Sequence, residues 1–377
     1  MCEKEVQGEV PSALEEHHCF ALAELLKAPF PLDVLLARAS EYRIHPSVLF
    51  SSVSIAQDRV DEVVQAVHTD KFDVFAYGPY DLEYGIAELL SPYISHWQWS
   101  VDQLRALVAS VHSLYRNSPY HNWYHAVDVV QFMSQALKLP QLQYLFSPVE
   151  IASTILAGLT HDIDHDGVTN KGHMALNSER HRHSAKATQE IHHCAIAKKL
   201  LSIGRLDRSI NNRIITALIE ATDMATHTHY CKEFEKVIQA MPNKTNFIES
   251  EHDRLLLLIV IMKAADLSNT VRRTETARKW GDLLGNEFHL AYLKEKAAHV
   301  PQSKLSFHGD PSQGHDKLQL GFFKGVVFPF YSLLNTCPLL KQFVEPLIKN
   351  ASSSVAYFED AAAKDVSSST PAYEDEV

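Results

Sequence analysis

LLLLIVIMKAADLSN occupies residues 255–269. The apolar side chains from Leu255 to Met262 cover every face of a helix, so that helix belongs at the centre of a fold. The run is too short to cross a bilayer, which takes about 20 apolar residues. It ends near Asp266, and an unpaired carboxylate among apolar neighbours is expensive to ionise. Taken alone, Asp266 reads as a helix-end residue that caps or pairs locally.

Working outward, a second apolar helix ends in the same way. Ser147-Pro148-Val149-Glu150 is a capping box with Pro at the first helical position, a strong start signal. The helix continues through IASTILAGLT (151–160) and delivers His161-Asp162-Ile163-Asp164-His165-Asp166 before Gly167. Charges at that density repel one another unless a cation sits among them.

A third segment begins near Pro119, carries Ala126, Val127, Val130, Met133 and Leu137 at core spacing and stops at Pro140. His121 and His125 are expected one helical turn apart, on the same face, with Asp128 three further on. One such histidine pair is more often incidental than metal-binding. Several segments bringing His or Asp to the ends of core helices point instead to a metal centre. A zinc-like ion prefers imidazole with carboxylate, and a harder ion prefers carboxylate and water. Asp162, beside His161, is well placed to bridge two ions. Such a pair polarises phosphoryl oxygens and activates water, which suits hydrolysis of a phosphate ester. A further helix is expected over IITALIEATDMATH (214–227).

These patterns, with 13 glycines, no alternating runs and no internal repeat, predict an all-α fold. At 377 residues and 46% hydrophobic, the chain can bury a large core, and length alone favours two domains as a prior. Residues 66–349 are expected to form the main unit. Residues 1–65 read as an N-terminal helical or linking segment, and 350–377, rich in Ser, Ala and acid, as a disordered tail.

The net charge of −11 argues against a general nucleic-acid or anionic-membrane binder, because both need a basic face. An anionic substrate would need its charge offset locally, as bound metal would do. Five cysteines without a CxxC pair fit a reduced intracellular chain, and MCEKEVQGEV has no signal pattern. A cytoplasmic protein without a transmembrane segment is expected.

Five motifs in order complete the reading. YHNWYHAVDV (120–129), HDIDHDGVTN (161–170), ATDMATH (221–227), KAADLSN (263–269) and QLGFF (319–323) resemble class I 3′,5′-cyclic-nucleotide phosphodiesterases. The resemblance covers roughly 70–348 and implies a compact multi-helix catalytic fold of the HD superfamily. It implies His125, His161, Asp162 and Asp266 as zinc ligands, with Asp162 also bridging to magnesium or manganese. His121 matches the general acid, and Glu190 (in ATQEIHHCA) the carboxylate that orients a catalytic histidine. His165, Asn170, Thr222, Asp223 and His227 match positions that bond to ligands or metal-bound waters. Gln319 matches the purine-edge glutamine, Phe322 and Leu284 an apolar clamp, and Tyr120 and Asn269 further substrate contacts. Gln offers a donor and an acceptor side by side, and an aromatic face stacks on any base. Trp280 and Tyr331 are expected in the core.

The implied activity is conversion of a purine 3′,5′-cyclic nucleotide to its 5′-monophosphate, ending a cyclic-nucleotide signal. Asn269 leans the preference toward cAMP, with cGMP open. The resemblance also leaves room for a regulatory domain in a longer native chain. Two alternatives are another HD-domain metal-dependent nucleotide phosphohydrolase, with no need of a purine clamp, and a catalytically silent cyclic-nucleotide sensor. Three stretches depart from the family pattern. Asp166 stands where many members have Pro. The basic, His-rich ERHRHSAKAT (179–188) replaces a more apolar segment and reads as a solvated turn. SFHGDPSQGHDK (306–317), before Gln319, reads as a mobile loop.

Overall fold

Leu256 through Ala265 are buried without a break along a helix that runs Glu251–Asp266. In this computed structural model, which describes residues 56–206, 209–241, 250–301 and 315–368, that helix is a central one on which four others pack. No strand occurs among the described residues.

Leaving aside single turns, the helices in chain order are α1 (Gln57–Ala66), α2 (Pro79–Leu90), α3 (Val101–Leu114), α4 (Trp123–Leu137) and α5 (Pro148–Thr160). Then come α6 (Asn170–Ala175), α7 (Glu179–His183), α8 (Thr188–Ile203), α9 (Asn212–Ala221), α10 (His227–Ala240) and the central α11 (Glu251–Asp266). The last are α12 (Thr274–Ala297), α13 (His315–Phe322), α14 (Phe328–Thr336) and α15 (Lys341–Ser368), with a π-helical turn, Phe323–Val327, between α13 and α14. The central helix packs on α4, α5, α9 and α10, while α5 lies against α4 and α9. Gly158 on α5 lets α4 come close, because the Met133 sulfur occupies the space a Cβ would need.

Local chemistry sets the helix ends. Ser147 accepts from Glu150 N and Glu150 returns a bond to Ser147 N, the expected capping box. Three helices differ from expectation. α4 starts at Trp123 and not near Pro119, since the Asn122 side chain accepts from Tyr124 N and His125 N and so caps it. His121 therefore lies in the preceding turn and not on the helix with His125. The helix expected over 214–227 is two, because Asp223 caps a separate 3-10 turn, Met224–Thr226. The stretch 255–269 likewise ends its α-helix at Asp266 and continues as a 3-10 turn, Ser268–Val271.

The folded unit also reaches past both expected boundaries. On α1, Val63 is fully buried, and Val67 just after that helix sits where a Cβ on Gly85 would be. At the other end, residues expected to begin a disordered tail at 350 are helical as far as Ser368. Ala351, Val355 and Phe358 recur at helical spacing, and Ala351 and Phe358 are buried. Phe358 rests on Phe323, with ring centroids 5.5 Å apart. That apolar stripe outweighs the polar composition around it. The N-terminal segment 1–55, most of the loop 306–317 and the end of the chain, 369–377, lie outside the described residues.

Candidate metal centre and active site

Three helix ends converge on one point. His125 comes from the first turn of α4, His161 and Asp162 from the end of α5, and Asp266 from the end of α11. His125 Nε2 stands 3.1 Å from Asp266 Oδ1 and 3.5 Å from Asp162 Oδ2. His161 Nε2 stands 3.0 Å from Asp162 Oδ2 and 3.4 Å from Asp266 Oδ1. All four ligand atoms lie within 4.8 Å of one another. His161 Nδ1 donates to the Gly158 carbonyl at 2.9 Å, which turns the Nε2 lone pair toward the cluster.

These residues fit a divalent metal. His161 Nε2 and Asp162 Oδ2 are buried and make no aligned hydrogen bond, so each has a ligand valence to give. Burial alone would hold His161 neutral and both carboxyls protonated. The charges on either side override it: Asp162 and Asp266 push His161 well above its usual range, while His161 holds Asp162 well below. Asp266 is lowered too, chiefly by its bonds to His125 and His161. The cluster is therefore organised around positive charge, and a metal ion is the species that supplies it to neutral imidazoles.

Beside it lies a second cluster of His121, His165 and Glu287. Glu287, buried on α12, accepts from His121 Nδ1 through Oε1. Its Oε2 accepts the backbone N–H groups of Tyr120 and His121 at 2.9 and 3.0 Å. Against the cost of burial, Glu287 and Asp162 hold the His121 imidazolium up to about 9. The His165 ring lies tilted against His121 at a centroid distance of 4.0 Å. Burial and the His121 charge push His165 down to about 3, and its Nδ1 accepts from Gly167 N at 3.1 Å.

The carboxylate on His121 is thus Glu287 and not Glu190, the residue expected to orient a catalytic histidine. Glu190 on α8 accepts instead from Asn170 Nδ2 at 2.9 Å, and burial pushes it up to about 7. Glu287 sits 166 residues from His121, so no local spacing joins them. A signal was present nonetheless: Trp280, Leu284, Glu287 and Ala291 recur at helical spacing, placing a carboxylate on an apolar stripe. His193 was also missed. Its Nδ1 donates to the Ile163 carbonyl at 2.6 Å and its Nε2 lies 3.8 Å from Asp162 Oδ1.

Other expected residues divide. Asn170 joins the back of the site by accepting from Gln189 N and donating to Glu190. Thr222 and Asp223 bond within their own turns, to Ile219 O and from Ala225 N. His227 stands edge-on to Phe330, 5.0 Å away, and 3.5 Å from the Cys231 sulfur. Asn269 Nδ2 donates to Tyr120 OH, and the Tyr120 ring lies against His125 at 4.8 Å and Trp280 at 5.4 Å. Trp280 and Tyr331 are buried, as expected of core residues. Gln319 is buried and Phe322 half-buried on α13, which packs against α12, the helix that carries the half-buried Leu284.

An all-helical domain whose helix ends gather two imidazoles and two carboxylates, beside a histidine–glutamate pair, defines a class of metal-binding helical proteins. Residues 120–349 match the 3′5′-cyclic nucleotide phosphodiesterase family model, and the chain belongs to that family. It is 30% identical over 289 residues to the high affinity cGMP-specific 3′,5′-cyclic phosphodiesterase 9A of Mus musculus, covering 72% of this chain and 52% of that protein. It is also 30% identical over 230 residues to the probable 3′,5′-cyclic-AMP phosphodiesterase pde-4 of Caenorhabditis elegans, covering 58% and 34%. The chain spans about half the length of the first curated relatives it matches. The phosphodiesterase domain of the RhoPDE fusion protein from the choanoflagellate Salpingoeca rosetta shares the fold, with a TM-score of 0.72 at 24% identity over 81% of this chain and 99% of that one. No helix among the described residues is long and apolar enough to cross a membrane.

Proposed function

We propose that the chain hydrolyses purine 3′,5′-cyclic nucleotides to 5′-monophosphates, with cAMP favoured, and so ends a cyclic-nucleotide signal. The observation that carries this is the adjacency of two clusters, one suited to cations and one holding a proton on His121. Zinc held by His125, His161, Asp162 and Asp266, with magnesium or manganese sharing Asp162, would supply Lewis acidity toward the phosphoryl oxygens and an activated water.

The chain's own residues do the rest. Glu287 fixes His121 through Nδ1, which leaves Nε2 as the atom that passes a proton to the leaving 3′ oxygen. The carboxylate also stabilises the imidazolium before the transfer. Tyr120 and Trp280 wall the site with aromatic surface against His125. Gln319 offers the purine edge a donor and an acceptor, while Phe322 and Leu284 offer its faces apolar surface. Because Asn269 spends an N–H on Tyr120, its carboxamide oxygen is left to accept, which suits the amino group of adenine. A second reading, cGMP, is favoured by relatives named as cGMP-specific.

Purified protein with Mg²⁺ is expected to form 5′-AMP or 5′-GMP, separated chromatographically, with side-by-side kinetics deciding between the nucleotides. Asp266→Ala is expected to lose at least about 100-fold in kcat, the scale on which metal sites contribute. Turnover that survives Asp266→Ala would sink the metal-dependent mechanism. Gln319→Ala and Phe322→Ala separate this reading from a general nucleotide phosphohydrolase, whose turnover neither change should touch.

A further inference from the structure

Much of the basic stretch 179–188 is exposed, as a solvated turn would be, but Arg180 on α7 is folded inward with its side chain 12% exposed. Its Nη2 donates to the Asp164 carbonyl at 3.0 Å and to Asp164 Oδ2 at 2.8 Å. Its Nη1 donates to Gln189 Oε1 at 2.6 Å and lies 3.7 Å from Asp166 Oδ2. Gln189 Nε2 in turn donates to Asp166 Oδ1 and the Val168 carbonyl. One guanidinium therefore holds both carboxylates that flank His165.

Asp164 needs such support. It sits at φ +62°, in the left-handed region that costs an L-residue about 1–2 kcal/mol. Around it the turn is pinned carbonyl by carbonyl. Ile163 O accepts from His193 and Asp164 O from Arg180, His165 O from Ser118 and Asp166 O from Lys294. Arg116 and His192 also reach the Asp164 carboxylate, at 2.6 and 2.7 Å, but the Arg116 side chain is half exposed. Arg180, by contrast, is turned inward and binds the Asp164 backbone and side chain together. The turn it braces begins at His161 and Asp162, in the metal cluster, and ends at His165, in the His121 cluster.

We propose that Arg180 is a positioning residue for the metal centre: by clamping Asp164 and Asp166 it sets where His161 and Asp162 face relative to His165. The inference rests on the metal-dependent reading above. A guanidinium suits the task because its five donors lie in a rigid planar fork, whereas an ammonium offers three on a flexible stem.

The test is Co²⁺ binding to metal-stripped protein, followed by visible d–d absorption, with kcat and KM measured alongside. Arg180→Ala is expected to weaken Co²⁺ binding by about 10- to 100-fold and to lower kcat with KM little changed, the usual effect of losing a residue that orients ligands. Millimolar guanidinium is expected to restore part of both. Arg182→Met, an exposed neighbour on the same helix, is expected to change neither. Should Arg180→Ala be recovered unfolded, Arg180→Lys carries the test, since it keeps the charge and loses the fork. Its Co²⁺ affinity should fall at least fivefold. Wild-type affinity in a folded Arg180 variant overturns the proposal, as does a loss confined to stability. Wild-type protein that binds no Co²⁺ overturns the metal reading itself. Wild-type protein that binds Co²⁺ without hydrolysing cyclic nucleotide overturns the activity alone and leaves the Arg180 comparison decisive.

Discussion

At the scale of single residues, the pairing of His121 with Glu287 has a measurable signature. Protonated His121 is the acid, so rate should fall as pH rises through about 9, where its proton is lost. Glu287→Gln removes the charge that opposes burial, so the alkaline limb should move to lower pH by more than one unit. The kcat near neutrality should drop about 10- to 100-fold. Glu190→Gln, whose carboxyl bonds Asn170, should leave that limb in place. A pH–rate profile of both variants checks the assignment, and a limb that moved with Glu190 alone would reverse it. The residues legible in the sequence were those whose chemistry clashes with their surroundings. Asp266 after an apolar run, and the dense charges of 161–166, announce a cation wherever the chain goes. Glu287 and His193 were harder to read, because their partners arrive only through tertiary packing.

At the scale of elements, apolar periodicity located the main helices but not where each stops. Asn122 and Asp223 decide two ends, through side-chain bonds that last a single turn. The split at Asp223 was hidden because Ala221 to His227 contains nothing that breaks a helix by propensity alone. The contact between α4 and α5 is a second consequence of one residue. Gly158→Ala places a methyl where the Met133 sulfur sits. Overpacking of that kind costs about 1–3 kcal/mol, against about 0.5–1 kcal/mol gained from better helix propensity. Thermal denaturation should show a net loss. Adding Met133→Ala should recover part of it, because the two changes share one volume.

At the scale of the molecule, the family match spans residues 120–349, while composition placed a disordered tail where the chain is still helical. Ser- and Ala-rich sequence reads as disorder, yet Ala351, Val355 and Phe358 carry the packed face of α15 on past residue 349. Phe358→Ala should cost about 3–5 kcal/mol in chemical denaturation, as expected for a large aromatic removed from a core. A chain ending at 349 should lose at least as much. If either keeps full stability, the unit does end where composition suggested.

The turn from Ile163 to Asp166 has a consequence for how the domain moves. Its carbonyls are held by side chains from α7, α8, α12 and the segment before α4, so it cannot open without disturbing all of them. Opening it would break several of these bonds at once, so its amides are expected to exchange more slowly than those of an ordinary surface loop. The turn that follows His161 and Asp162 is therefore a well-pinned part of the site. Gln319 and Phe322 ride instead on a short helix that runs into a π turn.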